Sequence, residues 1–297
     1  MHSYTNAVND YVTYLDVSEA TKRVYRYNIS SFCMWLKRER IAIDNIGRKN
    51  FIEYKKYLVD NYESTFTIRN KFTMIKKFID YLSNQGVLHS NVTYGVKRPK
   101  YEKRLCKMPL TSNEVSDLLK AIDTSRPSGM RDYCLVYLMI ITGLRINEAL
   151  LIQPGDINLE GDVYYIKIKG KGCVVKSQQV YFNHGMNHLL DDFIAEAVNE
   201  YLFSNTRDTT KNVGVRNMQR RIKSYFCKIG LSSRLYTTHS LRHTTATILL
   251  EQGLNIVDIQ GYMRHTSVNT TQIYTSFMQD KKLKSLNVSS KINNLII

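Results

Sequence analysis

From about Met130 to Thr142 the chain is apolar on nearly every side of a helix, through Tyr133, Cys134, Leu135, Val136, Leu138, Met139 and Ile140. Such a helix cannot lie on a surface and has to be packed all round by other elements. Its longest apolar run, Cys134 to Ile141, falls far short of the roughly 20 residues that a bilayer demands. The segment therefore predicts a buried helix. Gly143 breaks that helix, and Arg145 and Glu148 follow at once. An arginine directly behind a buried helix and a glycine turn is either half of a structural ion pair with Glu148 or a functional cation.

Other helices follow from apolar periodicity. Tyr25, Ile29, Phe32, Cys33 and Leu36 fall on one helical face with Ser18 as a candidate N-cap; Phe51, Tyr54 and Leu58 mark a shorter helix. Ile68, Phe72, Ile75, Ile79 and Leu82 form the clearest stripe, closed by Gly86. Their opposite faces carry Lys22, Arg23 and Arg26, and Arg69, Lys71, Lys76 and Lys77. Residues 1–86 thus read as a helical domain. Residues 87–110 lack a helical period and hold Lys97, Arg98, Lys100, Lys103, Arg104 and Lys107 against one acid, Glu102. They read as a basic linker suited to running along a polyanion, or as a plain solvated tether.

A second domain, residues 111–297, opens on the capping box Thr111-Ser112-Asn113-Glu114. Val163–Ile168 and Val174–Phe182 are β-rich runs joined by the turn Gly170-Lys171-Gly172. Helices are expected again near Met186–Tyr201 and near Val213–Ile229, the latter carrying Arg216, Arg220, Arg221 and Lys223. The fold class is mainly α with a small antiparallel sheet. The 297 residues carry a formal charge of +16, an imbalance that points to a polyanion, most simply nucleic acid. The five cysteines are scattered and odd in number, as expected of reduced thiols in a cytosol.

The chemistry gathers late in the chain. Thr238-His239-Ser240-Leu241-Arg242-His243 opens a helix that Thr237 or Thr238 can cap and Gly253 ends. A shorter helix near Val257–Tyr262 leads to Met263-Arg264-His265, and Tyr274 stands nine residues further on. An arginine fork matches phosphate oxygens, a histidine donates to an oxyanion or moves a proton, and a tyrosine hydroxyl is a potential nucleophile. Zinc is a poor fit. His239 and His243 are four apart, but Ser240 stands where the helical zinc-protease pattern has glutamate, and no further ligand completes a set.

With Thr142-Gly143-Leu144-Arg145-Ile146-Asn147-Glu148, His239-x-x-Arg242-His243, His265 and Tyr274 in view, the chain resembles the tyrosine recombinases, the phage-integrase family, in their simple two-domain Xer-like or transposon-integrase form. The resemblance implies a helical SAM-like core-binding domain followed by an α+β catalytic domain. It implies Arg145, Lys171, His239, Arg242 and His265 as catalytic residues around the nucleophile Tyr274, with Glu148 and His243 in support. Lys171, in the hairpin turn, would protonate the leaving 5′ oxygen. Lys97, Arg98, Lys100, Arg216, Arg220 and Arg221 are the expected DNA contacts. One departure stands out: Met263-Arg264-His265 occupies the place of the family's Leu-Gly-His.

The implied function is site-specific recombination of double-stranded DNA through a 3′-phosphotyrosyl intermediate, in integration, excision or dimer resolution, without metal or other cofactor. Four protomers on a junction, a possible accessory directionality factor and a cytoplasmic, nucleoid-associated setting without membrane contact go with it. A type IB topoisomerase that relaxes DNA with the same tyrosyl chemistry, or a non-catalytic DNA-binding protein of the same fold, are the alternatives.

Overall fold

The computed structural model describes residues 3–100, 107–170 and 175–264. Lys171, His265 and Tyr274 lie outside the described residues, as do Lys103, Arg104 and everything after His265. The chain divides into two compact units, Met1–Arg104 and Leu105–Ile297.

The first unit is helical: α1 (Tyr4–Tyr14), α2 (Glu19–Arg38), α3 (Arg48–Asn61) and α4 (Thr65–Asn84). Ser18 accepts from the Thr21 amide at 3.4 Å and Ser64 from the Thr67 amide at 3.3 Å. Such caps contribute about 1 kcal/mol each. The periodic stripes meet at the centre, where Ile29, Phe32, Phe51, Phe72, Ile75 and Phe78 are fully buried. Each contributes about 1.5–3 kcal/mol by leaving water. Phe32 meets Tyr54 edge-on at 4.5 Å, and Phe51 stacks on Phe72 at 4.9 Å. Val87, Leu88, Val92 and Val96 also pack on this core, so the start of the basic stretch is built into the helical unit. Lys97, Arg98 and Lys100 remain exposed.

One lysine of the expected basic face is a correction. Lys71 is buried, donates to Asn28 Oδ1 at 2.8 Å, and lies 4.8 Å from the Tyr62 ring centre. Its position explains this: it is three residues past Ile68 and adjoins Phe72, so it borders the apolar stripe. An aromatic face and an amide oxygen offset the loss of water around its ammonium.

The second unit opens with α5 (Ser112–Lys120), whose Thr111–Glu114 capping box is formed as the sequence predicts. The central helix is α6 (Pro127–Thr142), with Cys134, Leu135, Val136, Leu138 and Met139 at zero exposure. Around it lie α7 (Ile146–Ala149), α8 (His188–Ala195), α9 (Val215–Lys228), α10 (Thr238–Glu251) and a three-stranded antiparallel sheet. The helix α11 (Ile256–Met263) packs on α10.

The sheet has the order β1 (Ile157–Glu160), β2 (Val163–Ile168), β3 (Gln178–Asn183). Tyr164, Ile166 and Ile168 alternate inward along β2, and Tyr164 stacks on its cross-strand partner Phe182 at 5.0 Å. β1 had no sequence signal, since Asn158 and Glu160 dilute a run of only four residues. α8 ends at Ala195, well short of the predicted Tyr201. The chain leaves the helix there to bury Leu202 and Phe203, and the Leu202 amide donates to Ile152 O at 2.8 Å.

A buried charge cluster fixes α9 against α6. Asp132 has no exposure and accepts from Arg131 Nη2 at 2.8 Å, from Tyr225 Oη at 2.7 Å and from Arg221 Nε. A carboxylate stripped of water is tolerable only with such partners. Burial and the contact with Asp132 push the Tyr225 hydroxyl up to about 12, so it stays protonated and keeps donating. Asp132→Ala leaves two guanidinium groups facing a void; urea denaturation is expected to show a loss of about 3–5 kcal/mol. A loss under 1 kcal/mol would mean that the cluster contributes little.

Candidate active site and nucleic-acid interface

α6 ends at Gly143 in the left-handed conformation, with φ 62° and ψ 22°. Most side chains are strained at such a φ. Space is short as well, because a Cβ at Gly143 would stand 2.7 Å from Met263 Sδ. The tight turn delivers Arg145 to the N-cap of α7. Glu148 accepts from the Arg145 amide at 2.9 Å and from its Nη1 at 2.6 Å. The ion pair with Glu148 is therefore present. The carboxylate is 5% exposed and the arginine side chain 30%, so the pair holds Arg145 with part of its guanidinium at the surface.

Arg242 comes from the first turns of α10 and is buried. Its Nη1 donates to Gly143 O and its Nη2 to Met263 O. These carbonyls belong to the C-terminal ends of α6 and α11, where helix dipoles present negative potential to a cation. Tyr262 Oη donates to Ile141 O at 2.5 Å, stitching the same two ends together, and Thr245 Oγ1 donates to Ile140 O at 2.6 Å, holding α10 to α6. Arg242 is thus fixed beside the turn that carries Arg145 and beside the point where α11 leads toward residue 265.

Two histidines adjoin the arginines. Thr237 caps α10 by accepting from the His239 amide at 3.3 Å, and the His239 side chain is exposed. Burial on one side lowers the His239 pKa, and the charges of Arg242, Arg145 and Lys107 lower it further. His243, one turn on and more enclosed, is held down to about 4 by burial, then by His239 and Arg242. At neutral pH both rings are uncharged. Each can donate one N–H or accept a proton, which suits oxyanion binding and proton transfer.

Beside His239 opens a concavity of about 460 Å³ lined by Lys107, Arg216, Gln219, Arg220, Lys223 and Thr238. Arg216, Arg220 and Lys223 stand at i, i+4 and i+7 of α9 and share one exposed face. A groove of like charge next to the arginine site suits a phosphate backbone. Arg221 is placed elsewhere. It turns inward to Asp132 and Tyr225, away from the role assigned to it beside Arg220. Its spacing gives the reason: Arg221 is three residues past buried Met218 and four before buried Tyr225. Asp132, at the head of the apolar run, was the sequence sign that a cation beyond its neighbour Arg131 would be drawn inward. Lys107, counted only as a linker charge, belongs to the groove; its Nζ donates to Arg234 O.

The hairpin lysines can be partly sorted. Lys176 is engaged by Asp156 and by Gln153 Oε1 at 3.1 Å, while Lys167 and Lys169 are exposed. Among the described residues no group of three or more His, Cys, Asp or Glu is placed to hold a metal ion, and no helix is long and apolar enough to cross a membrane.

Comparison with known proteins agrees with this geometry. The Phage integrase family matches residues 109–280, and the N-terminal SAM-like domain of phage integrases matches residues 8–86. The tyrosine recombinase XerC of Pelotomaculum thermopropionicum is 28% identical over 90% of this chain and 92% of its own. XerC of Chlamydia trachomatis is 31% identical over 73% of this chain and 69% of its own. Among solved structures, the XerH recombinase bound to palindromic difH substrate superposes with a TM-score of 0.74 at 20% identity, covering 97% of this chain and 85% of that one. A lambda integrase dimer bound to a COC′ core site gives 0.72 at 16% identity, covering 92% and 94%.

Arg220→Ala is expected to lower the slope of log affinity for duplex DNA against log salt by about one, with thermal stability unchanged. Arg221→Ala should do the reverse, leaving the slope and costing about 1–3 kcal/mol of stability; matching salt slopes would overturn the assignment. For His243, a pKa below the free imidazole value means that the folded state resists protonation. Its contribution is complete above pH ~6.5 and lost as pH falls toward 4, by roughly 3 kcal/mol. An NMR titration should find the His243 ring neutral at pH 6; a midpoint above 6 would refute the burial effect.

Proposed function

The chain belongs to the phage integrase family of tyrosine recombinases, and on that premise we propose how it cuts and rejoins DNA. Tyr274 attacks a DNA phosphate, its hydroxyl proton is lost, and a 3′-phosphotyrosyl link forms while the bond to the 5′ oxygen breaks. Lys171 gives a proton to that departing oxygen. Arg145 and Arg242 bind the non-bridging oxygens as charge builds on them, and His239 and His265 add hydrogen-bond donors. The 5′ hydroxyl of a partner strand then attacks phosphorus and displaces Tyr274. The phosphotyrosyl ester conserves the bond energy, so the reaction calls for no nucleotide. The arginines supply the cationic field, so it calls for no metal.

The observation that carries this reading is the convergence of Arg145, Arg242 and His239 beside a basic groove. Lys171, His265 and Tyr274 are assigned from the sequence motifs. Arg216, Arg220, Lys223 and Lys107 would track the backbone at the cut site, with Lys97, Arg98 and Lys100 contributing from the other unit. Strand exchange needs two DNA sites, which we take to mean four protomers; a lambda integrase of similar fold was captured as a tetramer on a Holliday junction. A cytoplasmic setting near the nucleoid, a mobile-element origin and an accessory directionality factor fit the same picture. A topoisomerase would rejoin the strand it cut, whereas this chain would exchange strands between two sites.

Covalent trapping tests the proposal. Nicked duplexes drawn from the DNA flanking the gene should give a shifted band that survives denaturant and disappears in Tyr274→Phe. A band that persists in the variant would remove Tyr274 as nucleophile. Strand transfer confined to one duplex, never between two, would favour the topoisomerase reading.

A further inference from the structure

Arg264 is an anomaly of both backbone and side chain. It closes α11 at φ 52° and ψ 46°, the left-handed region that glycine enters without cost. An arginine retained there implies that its side chain is needed. That side chain is only 10% exposed and runs inward to Glu148, with Nη2 3.6 Å from Oε2. Its Nη1 donates to Tyr262 O at 3.0 Å, but Nε and Nη2 are buried with no hydrogen-bond partner among the described residues. Native structures keep few such donors, and the exceptions call for an explanation.

The neighbours supply one. Glu148 is already held by Arg145 through both carboxylate oxygens, at 2.6 Å and 2.9 Å. Arg242 bonds to Met263 O, the carbonyl next to Arg264, and to Gly143 O, two residues before Arg145. Two guanidinium groups, those of Arg145 and Arg264, therefore share the Glu148 carboxylate, an excess of one positive charge in a partly buried site. Such an excess is costly until an anion enters, and that anion would also meet the unused N–H donors.

We propose that Arg264 is a positioning residue for the scissile phosphate: it takes a share of Glu148 and thereby leaves Arg145 its charge for the incoming phosphate. With glycine at 264, Glu148 would neutralise Arg145 alone. With arginine, the Arg145–Glu148–Arg264 trio keeps a net positive charge, so the site binds a phosphate more strongly. The identity of the anion as a DNA phosphodiester rests on the recombinase reading; the charge argument rests on geometry alone.

The test uses the full chain and inorganic phosphate as the probe. Thermal unfolding is followed over a phosphate series, with chloride holding ionic strength constant. Wild type should gain a saturable rise in Tm. Arg264→Gly, whose backbone fits the left-handed turn, should fold with a Tm in chloride no lower than that of wild type and lose about tenfold in phosphate affinity. Arg264→Lys should recover part of that affinity, because it restores charge without the fork. Equal phosphate affinity in wild type and Arg264→Gly overturns the proposal and leaves Arg264 a mere clamp on Glu148. So does a wild type that phosphate stabilises no better than chloride. If Arg264→Gly fails to fold, Arg264→Asn, which also tolerates this φ, is read by the same criteria. Failure of covalent DNA capture with the phosphate response intact would count against the recombinase reading alone.

Discussion

The second unit turns on one guanidinium. Arg242 bonds the last carbonyls of two helices, α6 through Gly143 and α11 through Met263, and sits where both helix dipoles favour a cation. Buried arginines are costly unless their donors are met, and carbonyls at helix ends are acceptors left over by the helices themselves. Each need thus answers the other. The same bonds place the cation between the turn carrying Arg145 and the stretch leading to residue 265. The atoms that hold the helix ends together are thus the ones that the proposed phosphate site uses.

The rest of the site is arranged to keep positive charge uncancelled. Glu148, the acid paired with Arg145, is shared with Arg264. His239 and His243 are kept neutral by burial and by neighbouring cations, so they contribute donors without adding to the repulsion. Lys107, Arg216, Arg220 and Lys223 extend the field along an adjoining groove. A site of this kind meets a phosphate with its charges already in place, which is the condition for electrostatic stabilisation without reorganisation.

Much of this was legible in the sequence, for identifiable reasons. The all-round apolarity of α6 announced a buried helix. The stripe from Ile68 to Leu82 announced α4, and the Thr111 capping box announced the start of α5. The Thr142–Glu148 motif and the His239-x-x-Arg242-His243 run singled out Arg145 and Arg242, which the fold brings to one region through Gly143 and Glu148. What stayed hidden depends on long-range contact. β1 is too short and polar to show a period. α8 stops early because Leu202 and Phe203 find burial only off the helix axis. Lys71 and Arg221 read as surface charges, because helical spacing places a residue beside an apolar stripe without saying whether its head turns in or out. Arg264 was visible as a departure, but its left-handed backbone and its approach to Glu148 belong to the folded chain.

The ion pair between Arg221 and Asp132 has a bearing on how this groove can change over evolutionary time. It pins α9 about its own axis against α6, and that angle decides which residues line the groove. Each residue of a helix advances the azimuth by about 100°, so a single insertion or deletion ahead of Arg221 would swing Arg216 out of the groove while the anchor held. Length variation in this helix is thereby penalised. Arg216, Gln219, Arg220 and Lys223, by contrast, line the groove and can vary without disturbing the anchor beneath them.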